Sequence, residues 1–141
     1  MTQTLLDRTF ESLVIGEEAS LERVIEASDI DAFASVSGDY SSLHVDETYA
    51  STTPFEHRVV HGMLLGAYMS SLIGMQLPGK SALLVRESLE FKKPAYIGTK
   101  IKVSVKLVSK SEATRLIELA TSITSEGVLL AEGSATVQVR S

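Results

Sequence analysis

Apolar and polar side chains alternate strictly through residues 100–108, where Ile101, Val103, Val105 and Leu107 are interleaved with Lys100, Lys102, Ser104 and Lys106. Successive side chains of a strand point to opposite faces, so this period predicts a strand with one greasy face and one wet face. Three further segments read the same way. Residues 82–92 carry Leu83, Val85, Leu89 and Phe91 at alternate positions, residues 114–124 carry Ile117, Leu119 and Ile123, and residues 128–139 carry Leu129, Ala131, Ala135, Val137 and Val139. Glu126-Gly127 reads as the turn of a hairpin between the last two. A fifth strand is expected over residues 20–27. Such patterning marks an antiparallel sheet with one buried face.

Elsewhere the period lengthens to that of a helix. Ser28 is a candidate N-cap, with Asp29 and Asp31 in the first turn, where carboxylates suit the positive end of the helix dipole. That helix runs through Ile30, Phe33, Ala34 and Val36 and stops at Gly38. A polar loop follows from Asp39 to His44, and Asp46 is expected to cap a short helix through Tyr49 and Ala50. His61 to Gln76 reads as the longest helix. It is apolar on nearly every face (Met63, Leu64, Leu65, Met69, Leu72, Ile73), which places it in the middle of a core. Pro78-Gly79 ends it. The simplest packing of one greasy helix and about five amphipathic strands wraps the sheet around the helix. This is an α+β single hot-dog fold, one domain over residues 1–141. It leaves an edge strand and open flanks, so a homodimer is expected, and a dimer of dimers is compatible with it.

Composition narrows the function classes. The chain has 141 residues, 22% of them charged, with a formal net charge of −5 and no basic run beyond Lys92-Lys93, so a nucleic-acid partner is not expected. There is no cysteine, which removes disulfides, thiolate zinc sites and thiol nucleophiles together. The stretch Met63 to Met75 is interrupted by Gly66, Tyr68, Ser70, Ser71 and Gly74 and is too short to span a bilayer. Residues 1–10 hold no apolar core of signal-peptide length. No membrane and a cytoplasmic location are the expectations.

Two places carry candidate chemistry. The loop from Ser37 to Asp46 holds Asp39 and His44 five residues apart, behind a glycine that permits a sharp turn. A carboxylate and an imidazole together suit general acid–base work on a water molecule. An aspartate after a glycine is also a common turn residue, and a lone histidine is often structural, so spacing alone leaves both readings open. The second place is Val59-Val60-His61-Gly62-Met63, the start of the greasy helix. Helix N-termini leave backbone N–H groups unpaired. Two valines cannot cap them, and Gly62 has no side chain to block approach, so a developing oxyanion could be received there. A cap made by His61 itself, or by water, is the alternative. His57 reads as solvated surface. Glu87 falls on an otherwise apolar strand face, where a lone carboxylate is costly without a partner, a pocket or an interface. No phosphate loop, metal-ligand spacing or nucleophile elbow is present, so neither metal nor cofactor is expected.

At these two places the sequence resembles the MaoC-like dehydratases, in particular the short (R)-specific 2-enoyl-CoA hydratases. The resemblance runs over nearly the whole chain. It is carried by Phe33-Ala-Ser-Val-Ser-Gly-Asp39, Leu43-His44-Val-Asp46, His61-Gly-Met-Leu-Leu65, Gln76-Leu-Pro-Gly79 and Leu89-Glu-Phe-Lys-Lys-Pro94. It implies a hot-dog dimer acting on an acyl-CoA or acyl-carrier thioester, with coenzyme A as part of the substrate. Asp39 and His44 match the catalytic pair, and Gly62 the glycine whose N–H binds the thioester carbonyl. Ser70, His61, Ser41 and Met63 fall at positions expected to line the substrate site. The family pattern Gly-Asp-x-Asn-Pro-hydrophobic-His is broken here, because Ser41-Ser42 replaces Asn-Pro and removes the proline that fixes the loop's path. Reversible hydration of a 2-enoyl thioester is the expected reaction. A thioesterase on the same fold and a non-catalytic acyl-binding subunit are the competing readings.

Overall fold

The computed structural model describes residues 3–141; Met1 and Thr2 lie outside it. Five strands, β1 (Glu18–Val24), β2 (Ala82–Phe91), β3 (Lys100–Ser111), β4 (Leu116–Ser125) and β5 (Val128–Val139), form one antiparallel sheet in the order β1-β3-β4-β5-β2. Four helices accompany them: α1 (Ala27–Ser37), α2 (Ser42–Val45), α3 (Glu47–Ala50) and α4 (Gly62–Met75). The sheet's greasy face packs on α4, giving the expected hot-dog arrangement.

The central strands follow the alternation. Ile101, Val103, Val105 and Leu107 of β3, Ile117, Leu119 and Ile123 of β4, and Ala131, Ala135, Val137 and Val139 of β5 are all buried. Against them α4 buries Leu64, Leu65, Met69, Leu72 and Ile73. Full burial stabilises by about 1.5–3 kcal/mol per large apolar side chain, so this layer dominates the energetics. Glu126 and Gly127 take φ of 50° and 77°, as both middle residues of a tight hairpin turn do.

The structure corrects four local expectations. The first helix begins at Ala27 with Glu26 at the cap, so Ser28 lies inside it. Asp29 is better placed for the start, because its Oδ2 accepts the Glu26 N–H at 3.1 Å while its carboxylate also takes a bidentate Arg23. β1 correspondingly runs two residues earlier than the periodicity suggested and ends at Val24. Along β2 a register shift between Leu84 and Arg86 inserts Val85 as an extra residue. Ala82 and Leu84, rather than Leu83 and Val85, therefore pair with the inward Val139 and Val137. Leu83 and Val85 are left 51% and 56% exposed. A similar shift in β5 buries Leu130 in place of Leu129.

The greasy helix is also not enclosed all round. The sheet covers one side of α4, while Met63, Ala67, Ser70 and Ser71 on the other are exposed. Beside this open face runs β2, an edge strand with no neighbour beyond it among the described residues. Among the described residues no helix is long and apolar enough to cross a membrane.

Candidate active site

Helix α1 ends because Gly38 adopts φ 80°, the left-handed conformation that a glycine takes without penalty, and its N–H donates to the Ala34 carbonyl at 2.8 Å. The chain then turns into Asp39. Ser37 steadies the turn: its hydroxyl donates to the Phe33 carbonyl at 2.6 Å and accepts the Asp39 N–H at 3.1 Å. The Asp39 side chain is held by Ser41, whose N–H donates to Oδ1 at 3.1 Å and whose hydroxyl donates to the same oxygen. These two donors, with a smaller contribution from the imidazoles of His61 and His44, hold the Asp39 carboxyl below the ordinary carboxylate range although it is exposed.

One turn on, α2 presents His44. Its Nδ1 lies 2.6 Å from the Val59 carbonyl, and a ring nitrogen against a carbonyl must carry the hydrogen. That contact leaves Nε2 as the acceptor nitrogen of the neutral ring. Arg58 clamps α2 onto α1: its Nε donates to the His44 carbonyl and its Nη2 to Asp31 Oδ1, both at 2.6 Å. His57 is 71% exposed and pairs with Glu47, as expected of a surface residue.

His61 is 2% exposed and touches both members of the pair. Its ring stacks on His44 at 4.1 Å between centroids and 26° between planes, and its Nε2–H donates to the Asp39 carbonyl at 3.0 Å. Phe33 packs against its other side at 4.8 Å. His61 occupies the N-cap position of α4 without capping it through its side chain, and its Nδ1 is buried without a partner among the described residues. Asp39, His44 and His61 each bring one donor atom within 4.8 Å of the others. Stacked rings are poorly arranged to ligate one metal ion. Imidazole lone pairs lie in the ring plane, and near-parallel rings aim theirs side by side, not at one shared point.

Gly62 is the first residue of α4. Its N–H finds no acceptor among the described residues. Val59 and Val60, just before it, are spent on backbone bonds to Leu43 and Ala95. A cavity of about 330 Å³ opens beside it, with His44, Val59, Gly62, Leu65 and Phe91 in its walls and Lys92 and Lys93 also lining it. The bare face of Gly62 is in use: the ring of Phe91 lies 2.9 Å from where a Cβ would stand. A larger hollow of about 490 Å³, between Lys102 and Lys106, lies on the outer face of the sheet, away from α4.

Asp39, Ser41, His44, His61 and Gly62, singled out from the sequence, thus come together. Asp39 stands beside His44 but does not line the cavity that His44 and Gly62 share. Ser70 and Met63 lie apart, both exposed on the open side of α4. Glu87 points onto the same helix, with Oε2 3.0 Å from the Cβ position of Gly66; Oε1 is buried and has no partner among the described residues, and burial pushes its carboxyl up. Arg58, Phe91 and the Val59 carbonyl were not singled out as site groups from the sequence. Phe91 read as one of the alternating apolar positions of its strand, and a backbone carbonyl carries no residue signature at all.

With this geometry in hand, the comparisons with known proteins are specific. The sequence profile described as "MaoC like domain" matches residues 13–128. The chain is 38% identical over 130 residues to the (R)-specific enoyl-CoA hydratase of Aeromonas caviae, covering 92% of this chain and 97% of that one. It is 39% identical to the (R)-specific enoyl-CoA hydratase of Rhodospirillum rubrum, covering 92% and 90%. Among solved structures, the A. caviae (R)-hydratase superposes with a TM-score of 0.88 over 92% of this chain and 98% of that one, at 38% identity. An unliganded R-hydratase from Pseudomonas aeruginosa gives 0.91 over 98% and 88%, at 31% identity.

Proposed function

The chain belongs to the MaoC-like dehydratase family, and from that premise we propose that it is a hydro-lyase that adds water reversibly to a trans-2-enoyl-CoA to give the (R)-3-hydroxyacyl thioester. The observation that supports this most is the meeting of two acceptors and one donor. Asp39 and His44 stand side by side, and His44 lines a cavity together with Gly62, whose N–H has no acceptor among the described residues. A water molecule donating to Asp39 and to His44 Nε2 has its oxygen lone pair turned outward, toward the β-carbon of a thioester bound in the cavity. As the oxygen bonds to that carbon, negative charge moves to the thioester carbonyl. The Gly62 N–H, at the positive end of α4, stabilises this charge more in the transition state than in the ground state. One proton leaves the water for the Asp39–His44 pair and one returns to the α-carbon, so the pair ends as it began. Lys92 and Lys93, beside the cavity, suit the phosphates of a coenzyme A or acyl-carrier arm. Ser70 and Met63, on the open side of α4, belong to the substrate site only once a second chain closes that side.

Purified protein is expected to consume the enoyl absorbance of crotonyl-CoA without releasing thiol. Thiol release from a saturated acyl-CoA with the enoyl absorbance untouched would replace this reading with a thioesterase. Saturable acyl-CoA binding without turnover would reduce the protein to a binding subunit.

A homodimer is part of the proposal. The exposed Leu84 and Phe91 of edge strand β2, on the α4 side of the sheet, and the exposed Met63 of α4 form a flank that a second copy would cover. Sedimentation is expected to give twice the 15.2 kDa of one chain. A species of single-chain mass at micromolar concentration would remove this part.

A further inference from the structure

Aspartate 39 has four polar atoms, and three of them are engaged. Its N–H donates to Ser37 Oγ, its carbonyl accepts from His61 Nε2, and its Oδ1 accepts both the N–H and the hydroxyl of Ser41. Oδ2 alone has no partner among the described residues. We propose that Ser41 is a positioning residue for the hydration reaction, filling Oδ1 so that Oδ2 is the one carboxylate oxygen of Asp39 that takes a proton from water. The inference rests on the hydratase reading and adds to it a residue and an atom.

Three physical points carry it. An unrestrained carboxylate turns about its terminal torsion through a broad, two-fold potential, so its two oxygens are interchangeable. Two donors on one oxygen remove that equivalence. Ser41 is also the residue from which α2 starts: its carbonyl accepts the N–H of His44 at 2.9 Å and of Val45 at 3.3 Å. One residue therefore sets both the face of the base and the placement of the imidazole beside it. Third, donors to a carboxylate favour its charged form, and the Ser41 hydroxyl is the largest of the influences that hold Asp39 low. The titratable groups facing Asp39 are His44 on α2 and His61 at the start of α4, and both remain when Ser41 is changed.

The test compares Ser41→Ala, which removes the hydroxyl, with Ser41→Thr, which keeps it, by two readouts. The first is the titration of the Asp39 carboxyl followed by NMR. The second is the pH profile of kcat/KM for crotonyl-CoA hydration. In Ser41→Ala both the carboxyl titration and the acid limb of the profile are expected to move to higher pH, because a donor to the charged form has gone. The kcat should fall about tenfold with KM nearly unchanged, the size expected for one charge-assisted hydrogen bond. Ser41→Thr should restore all three. An unmoved titration and acid limb in Ser41→Ala would overturn the proposal, as would a threonine variant no better than the alanine. If the titration responds to Ser41 in a protein that hydrates no thioester, the clamp stands and only the hydratase reading is lost.

Discussion

Replacing Asp39 by asparagine is expected to slow hydration of a short 2-enoyl-CoA by about 10²–10⁴-fold, the range that a positioned proton acceptor contributes. Asparagine is nearly isosteric, and its amide oxygen can still accept from the Ser41 N–H and hydroxyl, so the loop keeps its shape. What disappears is the basic oxygen. The carboxylate is exposed and buries nothing, so the melting temperature should stay within the range of the parent protein. The measurement is kcat from enoyl absorbance beside a thermal unfolding curve. A variant with parental kcat would remove Asp39 from the chemistry and return it to the role of a turn residue.

The second large effect is expected at Gly62, where the functional group is a backbone N–H that ordinary side-chain substitutions leave in place. Proline removes it. Gly62 is the first residue of α4, the position at which a helix tolerates proline best, and His61 before it has φ −56° and ψ 133°, a conformation that a following proline favours. Gly62→Pro is therefore expected to keep the fold while lowering kcat by about 10²–10³-fold, the loss typical of a deleted oxyanion donor. Any new side-chain atom here also meets Phe91, whose Cζ lies 2.9 Å from the Cβ position. Gly62→Ala serves as the control, since it adds the contact and keeps the N–H. The ratio of the two rates isolates the donor. Equal rates in the two variants would mean that Phe91 crowding, and not the N–H, accounts for the loss.

Parts of this site were legible before any coordinates. Asp39 and His44 drew attention as a carboxylate and an imidazole five residues apart behind a glycine, a spacing that left a turn residue and a structural histidine equally open, and Gly62 because two valines ahead of it cannot cap a helix. The roles of their neighbours were not legible. Ser41 and Ser42 read as a loosened loop, yet Ser41 gives the carboxylate two donors. His61 read as a cap or substrate contact; its side chain does not cap α4, and it braces the pair through a stack on His44 and a bond to the Asp39 carbonyl. Arg58 ties residues 14 and 27 positions away in the chain.

The sequence by itself determined the central strands, the extent of α4 and the hairpin at Glu126-Gly127. Each follows from a short-range rule: side-chain period sets which face is apolar, and turn residues set where the chain reverses. Tertiary structure decided the rest. The bulge at Val85 exchanged the faces of β2, because an extra residue in one strand leaves no mark on the alternation until a partner strand fixes the register. It also decided which side of α4 stays open, since a helix greasy all round does not say how much of it a five-stranded sheet can cover. The placement of His44 beside Asp39 likewise depends on backbone groups such as the Val59 carbonyl. Every residue carries such a group, so only folding distinguishes the one that matters.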